Sequence, residues 1–102
     1  MRLKGKRSLV TGAGSGIGQA IAQGFAAEGA SVVIADLNGD KARETAAGLL
    51  AAGRSAFAVQ ADVSQKKQVD TMIQTAVDRL GGLDIVVCGA GISPLTSFLD
   101  IS

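Results

Sequence analysis

The chain alternates short apolar segments with amphipathic segments of helical length, and this alternation restricts the fold more than any other feature. Four segments have the length and composition of buried strands, and they span residues 8–11, 31–35, 55–60 and 84–88. The fourth strand is continuously apolar from Ile85 to Cys88. Strands that are apolar on both faces lie in the interior of parallel sheets.

Three segments between these strands show helical periodicity, and they span residues 16–28, 40–52 and 64–80. Gly29 and Gly53 follow the first two as left-handed stops, and Ser64 is the expected N-cap of the third. The order βαβαβαβ predicts an α/β fold with a parallel sheet and helices on both faces. The glycines occupy turn positions and no Pro-rich linker is present, so we expect one domain.

Composition excludes several kinds of catalytic and metal site. The 102 residues contain no His, no Tyr, no Trp and a single Cys. The chain therefore provides neither a His or Cys metal site nor a Ser/His/Asp triad, and it has no phenol that could act as an acid. We expect no metal site within it.

Charge and hydropathy predict neither nucleic acid nor a membrane as a partner. The net charge is +1, and no apolar run approaches the roughly 18 residues of a membrane span. Met1 leads into charge rather than into the apolar region of a signal peptide, so we expect a cytoplasmic location with a reduced Cys88. The basic residues near the N-terminus lack an aromatic companion and are interpreted as a solvated lead-in; they are Arg2, Lys4, Lys6 and Arg7.

A glycine-rich turn, Thr-Gly-Ala-Gly-Ser-Gly-Ile-Gly at residues 11–18, joins the first strand to the first helix. Without Cβ atoms the backbone turns tightly, and the N–H groups of the first helical turn can point at a pyrophosphate. The pattern is Thr-Gly-x-x-x-Gly-x-Gly and not Gly-x-Gly-x-x-Gly, because counting on from Gly12 and Gly14 reaches Ile17. An ordinary helix N-terminus is the alternative, and the position between strand and helix favours phosphate binding.

Asp36 ends the second predicted strand, and in a βαβ unit this strand end lies beside the glycine turn. Its carboxylate can accept hydrogen bonds from the ribose hydroxyls of an adenosine, and it would repel a 2′-phosphate. Neither Leu37 nor Ser15 supplies a cation to neutralise that phosphate, so we expect NAD to be preferred over NADP. The alternative is that Asp36 is a turn or helix-cap residue before Asn38.

Small and acidic residues also follow the third and fourth strands. Asp62 can accept a hydrogen bond from an adenine amino group while Val63 packs on the ring, and the alternative is that Asp62 caps the next helix. Gly89, Ala90 and Gly91 are small enough for the backbone to run beside a cofactor ribose.

These four features, in this order, resemble the N-terminal half of a classical short-chain dehydrogenase/reductase over essentially the whole chain. The resemblance implies a Rossmann-type doubly wound parallel sheet that is incomplete after the fourth strand. Residues 1–102 would then be the NAD-binding, N-terminal part of a longer single-domain fold. The implied cofactor contacts are Gly12, Ser15, Gly16, Ile17 and Gly18 for the pyrophosphate and nicotinamide side, Asp36 and Leu37 for the adenosine ribose, Asp62 and Val63 for the adenine, and Gly89, Ala90 and Gly91 for the neighbouring ribose.

The resemblance also implies hydride transfer between a nicotinamide and a hydroxyl or carbonyl carbon of a small-molecule substrate, in a homo-oligomer. The family uses a Tyr with a Lys, a Ser and an Asn, but the chain has no Tyr-x-x-x-Lys, and Ser93 and Ser97 do not match the catalytic Ser position. We interpret them as loop residues. The family's Asn-Asn-Ala-Gly becomes Cys-Gly-Ala-Gly at residues 88–91, which removes any side-chain role at Gly89. We therefore assign no catalytic residue and expect the chain alone to be inactive.

Two other classes of function fit part of the pattern. One is a nucleotide-binding fragment or module without a catalytic role. The other is a Rossmann-like methyltransferase, which also places an acid after the second strand, although the glycine signature and Ala90-Gly91 argue against it.

If nothing follows the fourth strand, the edge of that strand is unpaired. We then expect either that this edge pairs with another copy or with a complementary fragment, or that the chain is unstable.

Overall fold

The computed structural model describes residues 3–14, 16–88 and 91–93, with side chains for residues 3–14 and 16–87. In chain order the elements are β1 (Arg7–Thr11), α1 (Gly16–Ala27), β2 (Ser31–Asp36), α2 (Gly39–Ala51), β3 (Ala56–Gln60), α3 (Lys66–Leu80), β4 (Ile85–Cys88) and β5 (Gly91–Ser93). They form one sheet in the order β3-β2-β1-β4-β5, in which β1 to β4 are parallel. The predicted βαβαβαβ order and parallel sheet are confirmed.

Alternate residues of the strands project to opposite faces of the sheet, and each face is buried beneath helices. The core between the sheet and the helices α1 and α2 contains Val10, Val32, Ile34 and Val87 from the strands and Ala22, Ala26, Ala42 and Ala46 from the helices. The core between the sheet and α3 contains Leu9, Val33, Ala35 and Val86 from the strands and Val69, Met72, Ile73 and Ala76 from the helix. Helices therefore cover both faces, as a doubly wound sheet requires, and the alanines let α1 and α2 lie close to the strands.

The helix ends follow the predicted stops more closely than the predicted starts. Gly29 and Gly53 have φ of 94° and 79°, which confirms them as left-handed residues after α1 and α2. The prediction that Ser64 is the N-cap of α3 was wrong, because this helix begins at Lys66. The backbone N and Oγ of Ser64 both donate to Asp62 Oδ1, at 2.9 and 2.7 Å, so the hydroxyl serves a turn that precedes the helix.

A short fifth strand corrects the expectation of an open edge on β4. Residues 91–93 pair antiparallel with β4, in the register Val86↔Ser93, Val87↔Ile92 and Cys88↔Gly91. Ser93 was predicted to lie in a loop, and it lies in this strand. A connection of two residues is too short for a crossover and suits only an antiparallel neighbour, whereas three residues show no periodicity from which a strand could be predicted.

An ion pair fastens the start of β1 to the turn between α3 and β4. Arg7 Nε and Nη2 donate to Asp84 Oδ2 and Oδ1 at 3.0 and 3.2 Å, and Arg7 Nη1 donates to Gly81 O at 3.0 Å. The backbones of the same two residues are also joined, because Asp84 N donates to Arg7 O at 2.8 Å. The side-chain hydrogen bonds from Arg7 lower the pKa of Asp84 to about 2.

We expect Asp84→Asn to destabilise the chain at neutral pH and to have little effect at pH 2. The folded pKa of Asp84 lies below the ordinary value of about 3.9, so its contribution is complete above about pH 4 and is lost as the pH falls towards 2. Urea unfolding of both proteins across this range measures the difference. Glu44→Gln on the exposed face of α2 is the control, and a difference between Asp84→Asn and wild type that does not change with pH would contradict the assignment.

Candidate functional site

The carboxyl ends of the parallel strands meet at one edge of the sheet, and most of the residues singled out in the sequence lie along it. Thr11 pairs with Ala35 at the last rung between β1 and β2. Two backbone bonds continue beyond the strand ends, from Ala13 N to Ala35 O and from Ala61 N to Asp36 O, each 3.1 Å long. The turns that follow β1, β2 and β3 therefore lie side by side.

The glycine turn between β1 and α1 uses its glycines in two ways. Gly12 and Gly16 have φ of 66° and 62°, in the left-handed region where a side chain is strained. A Cβ on Gly18 would lie 2.7 Å from the carbonyl carbon of Gly12 and 3.2 Å from the Cα of Ala13. Gly18 therefore lets the first turn of α1 approach the end of β1, while Ile17 beside it is exposed.

Gly14 is a site residue that the sequence analysis did not assign. Its N–H donates to Asp36 Oδ2 at 2.9 Å. A Cβ on Gly14 would lie 2.8 Å from the same oxygen and 2.8 Å from the Cβ of Lys41 on α2. The glycine turn is thus in contact with both β2 and α2 at this residue. The second glycine of the Gly-x-Gly pair at residues 12–14 was the signal that could have identified it.

Asp36 connects the glycine turn to the turn before α2. Its Oδ2 accepts from Gly14 N, and its Oδ1 accepts from Asn38 N at 2.8 Å. Asn38 in turn caps α2, because its side chain accepts from Lys41 N at 3.2 Å. The position beside the glycine turn and the alternative role in a turn are therefore both realised. A carboxylate offers about four lone-pair positions, so two remain for further donors.

A cleft of about 200 Å³, here called the inner cleft, brings together five of the residues predicted to contact a cofactor. It is lined by Thr11, Gly12, Ala35, Asp36, Leu37, Ala61, Asp62 and Val63. Leu37 is 65% exposed and Val63 is 47% exposed, although both are large apolar side chains. Exposed apolar groups in the lining of a cleft with two acidic residues suit a flat ligand that carries hydroxyl or amino groups.

Asp62 lies in a turn that its own hydrogen bonds stabilise. Its Oδ1 accepts the two bonds from Ser64, which lower the pKa of the carboxyl group. Its backbone N donates to Gln68 Oε1 on α3 at 2.8 Å, and Gln65 N donates to Asp62 O at 3.0 Å. The carboxylate is thus ionised at neutral pH, and it stabilises the turn before α3 instead of capping the helix itself.

A larger cleft of about 620 Å³, here called the outer cleft, shares Asp36 and Leu37 with the inner cleft. It is lined by Asp36, Leu37, Asn38, Gly39, Asp40, Arg43 and Gln60. Arg43 pairs with the carboxylate of Asp40, and Gln60 Nε2 donates to Leu37 O at 3.2 Å. A cation was expected from the sequence at neither Ser15 nor Leu37, but α2 brings the guanidinium-bearing Arg43 to a cleft that Asp36 also lines.

Three of the remaining predicted residues are described with their side chains, and they line neither cleft. Gly16, Ile17 and Gly18 form the start of α1, and Gly91 lies in β5. Ser15, Gly89 and Ala90, which were assigned to the pyrophosphate and to a ribose, lie outside the described residues.

The described part of the chain contains neither a metal-binding group of side chains nor a membrane-spanning helix. No group of three or more His, Cys, Asp or Glu in residues 3–14, 16–88 and 91–93 is arranged to hold a metal ion. In the same residues, no helix has both the length and the apolar composition needed to cross a membrane.

Comparison with known proteins identifies relatives of the same architecture. A short-chain dehydrogenase/reductase of Armillaria gallica is 46% identical over 99 residues, which are 95% of this chain and 38% of that protein. A solved 7α-hydroxysteroid dehydrogenase in complex with NADH and 7-oxo glycochenodeoxycholic acid matches with a TM-score of 0.82 and 40% identity, covering 83% of this chain and 33% of that one. A short chain dehydrogenase of Burkholderia cenocepacia in complex with NADP matches with a TM-score of 0.79 and 44% identity, and the match covers 84% of this chain and 36% of that one.

The chain therefore spans between 33% and 38% of the length of these relatives. A sequence model of the family described as short chain dehydrogenase matches residues 6–102, which is nearly the whole chain. The glycine turn, the acid at the end of β2 and the order of the parallel strands agree with that match. The chain belongs to the short chain dehydrogenase family.

Proposed function

We propose that this chain is the NAD-binding portion of an oxidoreductase that transfers hydride between a nicotinamide cofactor and a hydroxyl or carbonyl carbon. The observation that carries the proposal is the position of Asp36. Its carboxylate is bonded to Gly14 N in the glycine turn and also lines the inner cleft between Leu37 and Val63. One side chain therefore links a phosphate-binding type of turn to a nucleoside-sized cleft.

The glycine turn suits a diphosphate. The first N–H groups of α1 have no partner within the helix, and the positive end of the helix dipole attracts an anion. Gly14 and Gly18 leave no room for a Cβ, so the backbone is packed tightly and is already in position before a ligand arrives. We assign the pyrophosphate and nicotinamide side to Gly12, Ser15, Gly16, Ile17 and Gly18.

The inner cleft suits an adenosine. Asp36 accepts from the ribose hydroxyls through its remaining lone pairs, and Asp62 accepts from the adenine amino group. Leu37 and Val63 pack on the two faces of the base, which removes two exposed apolar side chains from water. We assign the neighbouring ribose to Gly89, Ala90 and Gly91.

We propose a preference for NAD over NADP that depends on two opposing charges. Asp36 contacts the ribose position and repels a 2′-phosphate, whereas Arg43 in the outer cleft attracts one. The carboxylate is the closer group in this proposal, and Arg43 is already paired with Asp40. Relatives of this chain have been solved with NADH and with NADP, so the family accommodates both cofactors.

The proposal places proton transfer outside the 102 residues, because they contain no Tyr and no His. Bound NAD supplies the carbon that accepts or releases hydride, and the family's Tyr and Lys would act on a small-molecule substrate. Residues 1–102 would form the N-terminal part of a longer single-domain fold, in agreement with the coverage of the relatives. A homo-oligomer, which the family resemblance implies, completes the proposal together with the cytoplasmic location expected from the sequence.

A nucleotide-binding module without a catalytic role is the second candidate. It is favoured by the same lack of a Tyr, and it shares the site described above. Membership of the short chain dehydrogenase family argues against methyl transfer, the third function considered from the sequence.

Gly14→Ala should weaken NAD binding by about tenfold, because the added Cβ meets Asp36 Oδ2 and Lys41 Cβ and displaces the glycine turn. Isothermal titration of the purified chain with NAD measures the effect, and S-adenosylmethionine is expected not to bind. Gly24→Ala is the matched control, since a Cβ there meets no neighbouring atom within 4 Å. Equal affinity for NAD in wild type and Gly14→Ala would remove the glycine turn from the site.

Asp36→Ala should weaken NAD binding by about tenfold, since a hydrogen bond to a charged group contributes about 1.5–3 kcal/mol. The same change should strengthen NADP binding, because it removes the repelling carboxylate and leaves Arg43. Adding Arg43→Ala should abolish the gain in NADP affinity without altering NAD affinity. A ratio of the two affinities that is the same in all three proteins would exclude Asp36 from cofactor discrimination.

The chain alone should produce no NADH from NAD in the presence of alcohols, sugars or hydroxysteroids, because no residue in it can serve as the phenolic acid/base. Absorbance of the reduced nicotinamide provides the assay. Turnover that copurifies with the chain and disappears in Gly14→Ala would show that the chain contains catalytic residues of another type.

A further inference from the structure

Thr45 is a buried polar residue in the middle of α2, and none of the roles assigned above uses it. The residue is only 5% exposed to solvent. Threonine is a poor helix former, and its hydroxyl requires a hydrogen bond when it is buried. The hydroxyl finds its partners on two other elements: Oγ1 donates to Gly14 O over a long 3.4 Å, and it accepts from Gln19 Nε2 of α1 at 3.2 Å.

These bonds meet at the residue that connects the glycine turn to the rest of the site. The N–H of Gly14 is bonded to Asp36, and its carbonyl is bonded to Thr45. Lys41 and Thr45 are four residues apart and lie on one face of α2, so the same helix face lies beside the carbonyl of Gly14 and beside the position that a Cβ on Gly14 would occupy. The N–H and the carbonyl of Gly14 are therefore both hydrogen-bonded to side chains of the protein.

We infer that Thr45 is a positioning residue for the diphosphate of the cofactor: it keeps the Gly14 carbonyl turned towards α2. A backbone carbonyl carries a partial negative charge, and a carbonyl that turns towards the ligand repels a diphosphate. Without the hydroxyl, the Gly14 carbonyl would satisfy its hydrogen bond in solvent, on the side where the ligand binds. Gln19 completes the network by fixing the direction of the Thr45 hydroxyl.

The inference rests on the proposed function, since it assumes a diphosphate at the glycine turn. It concerns only the diphosphate of the ligand. Leu37, Asp62 and Val63 are assigned to the adenine and the ribose, and none of them contacts Thr45 through a hydrogen bond described here. A change at Thr45 should therefore lower the affinity for ligands that carry a diphosphate and leave the affinity for ligands without one nearly unchanged.

The test compares Thr45→Val, which removes the hydroxyl at nearly constant shape, with Thr45→Ser, which retains it. ADP-ribose and adenosine are titrated into each protein. We expect Thr45→Val to weaken ADP-ribose by about fivefold, the equivalent of one ordinary hydrogen bond, and to change adenosine affinity by less than about twofold. Thr45→Ser should bind both as wild type does, and Thr71→Val on the exposed side of α3 is the control for a general Thr→Val effect.

A second measurement does not depend on a ligand. Hydrogen exchange at Gly14 N–H, which is bonded to Asp36, should become faster in Thr45→Val and should stay unchanged in Thr45→Ser and Thr71→Val. Equal weakening of ADP-ribose and adenosine, or unchanged exchange at Gly14, would overturn the inference. Failure of the wild-type chain to bind either ligand would instead overturn the proposed function, and the positioning role would fall with it.

Discussion

The parallel pairing of β1 with β2 is the constraint on which the site depends. Thr11 lies opposite Ala35, so the two strands end at the same height and their turns emerge together. The bond from Ala13 N to Ala35 O then directs the glycine turn towards β2, where Gly14 N reaches Asp36 Oδ2. A shift of this register by one residue would reverse the faces of every strand residue and separate these groups.

The register is in turn set by burial on both faces of the sheet. Val10 and Ile34 face α1 and α2, whereas Leu9 and Val33 face α3, and all four are fully buried. A shift of one residue would turn each of these side chains to the opposite face. The continuous apolar runs that made β1 and β2 recognisable as strands are therefore also what aligns the ends of these strands at one edge of the sheet.

Particular residues show how far the sequence leads. The position of the glycine turn, Asp36, Leu37, Asp62 and Val63 at one edge of the sheet could be predicted, because strand, turn and helix signals are local and because parallel strands share one carboxyl edge. The start of α3 could not be assigned correctly, since Ser64 is an ordinary N-cap candidate whose hydroxyl is used by Asp62 instead. β5 was missed because three residues are too few to show a period.

The sequence by itself determined the order of the elements, the parallel sheet and the strand ends at which a nucleotide cofactor could bind. These follow from steric and hydrophobic preferences that extend over only a few residues. Only the tertiary structure decided that Arg43 lines a cleft with Asp36, that Thr45 and Gln19 reach Gly14, and that Arg7 pairs with Asp84. The partners in the Gln19, Thr45 and Arg7 bonds lie 26, 31 and 77 residues apart. Helix packing brings the first two pairs into contact, and the pairing of β1 with β4 brings Arg7 to Asp84.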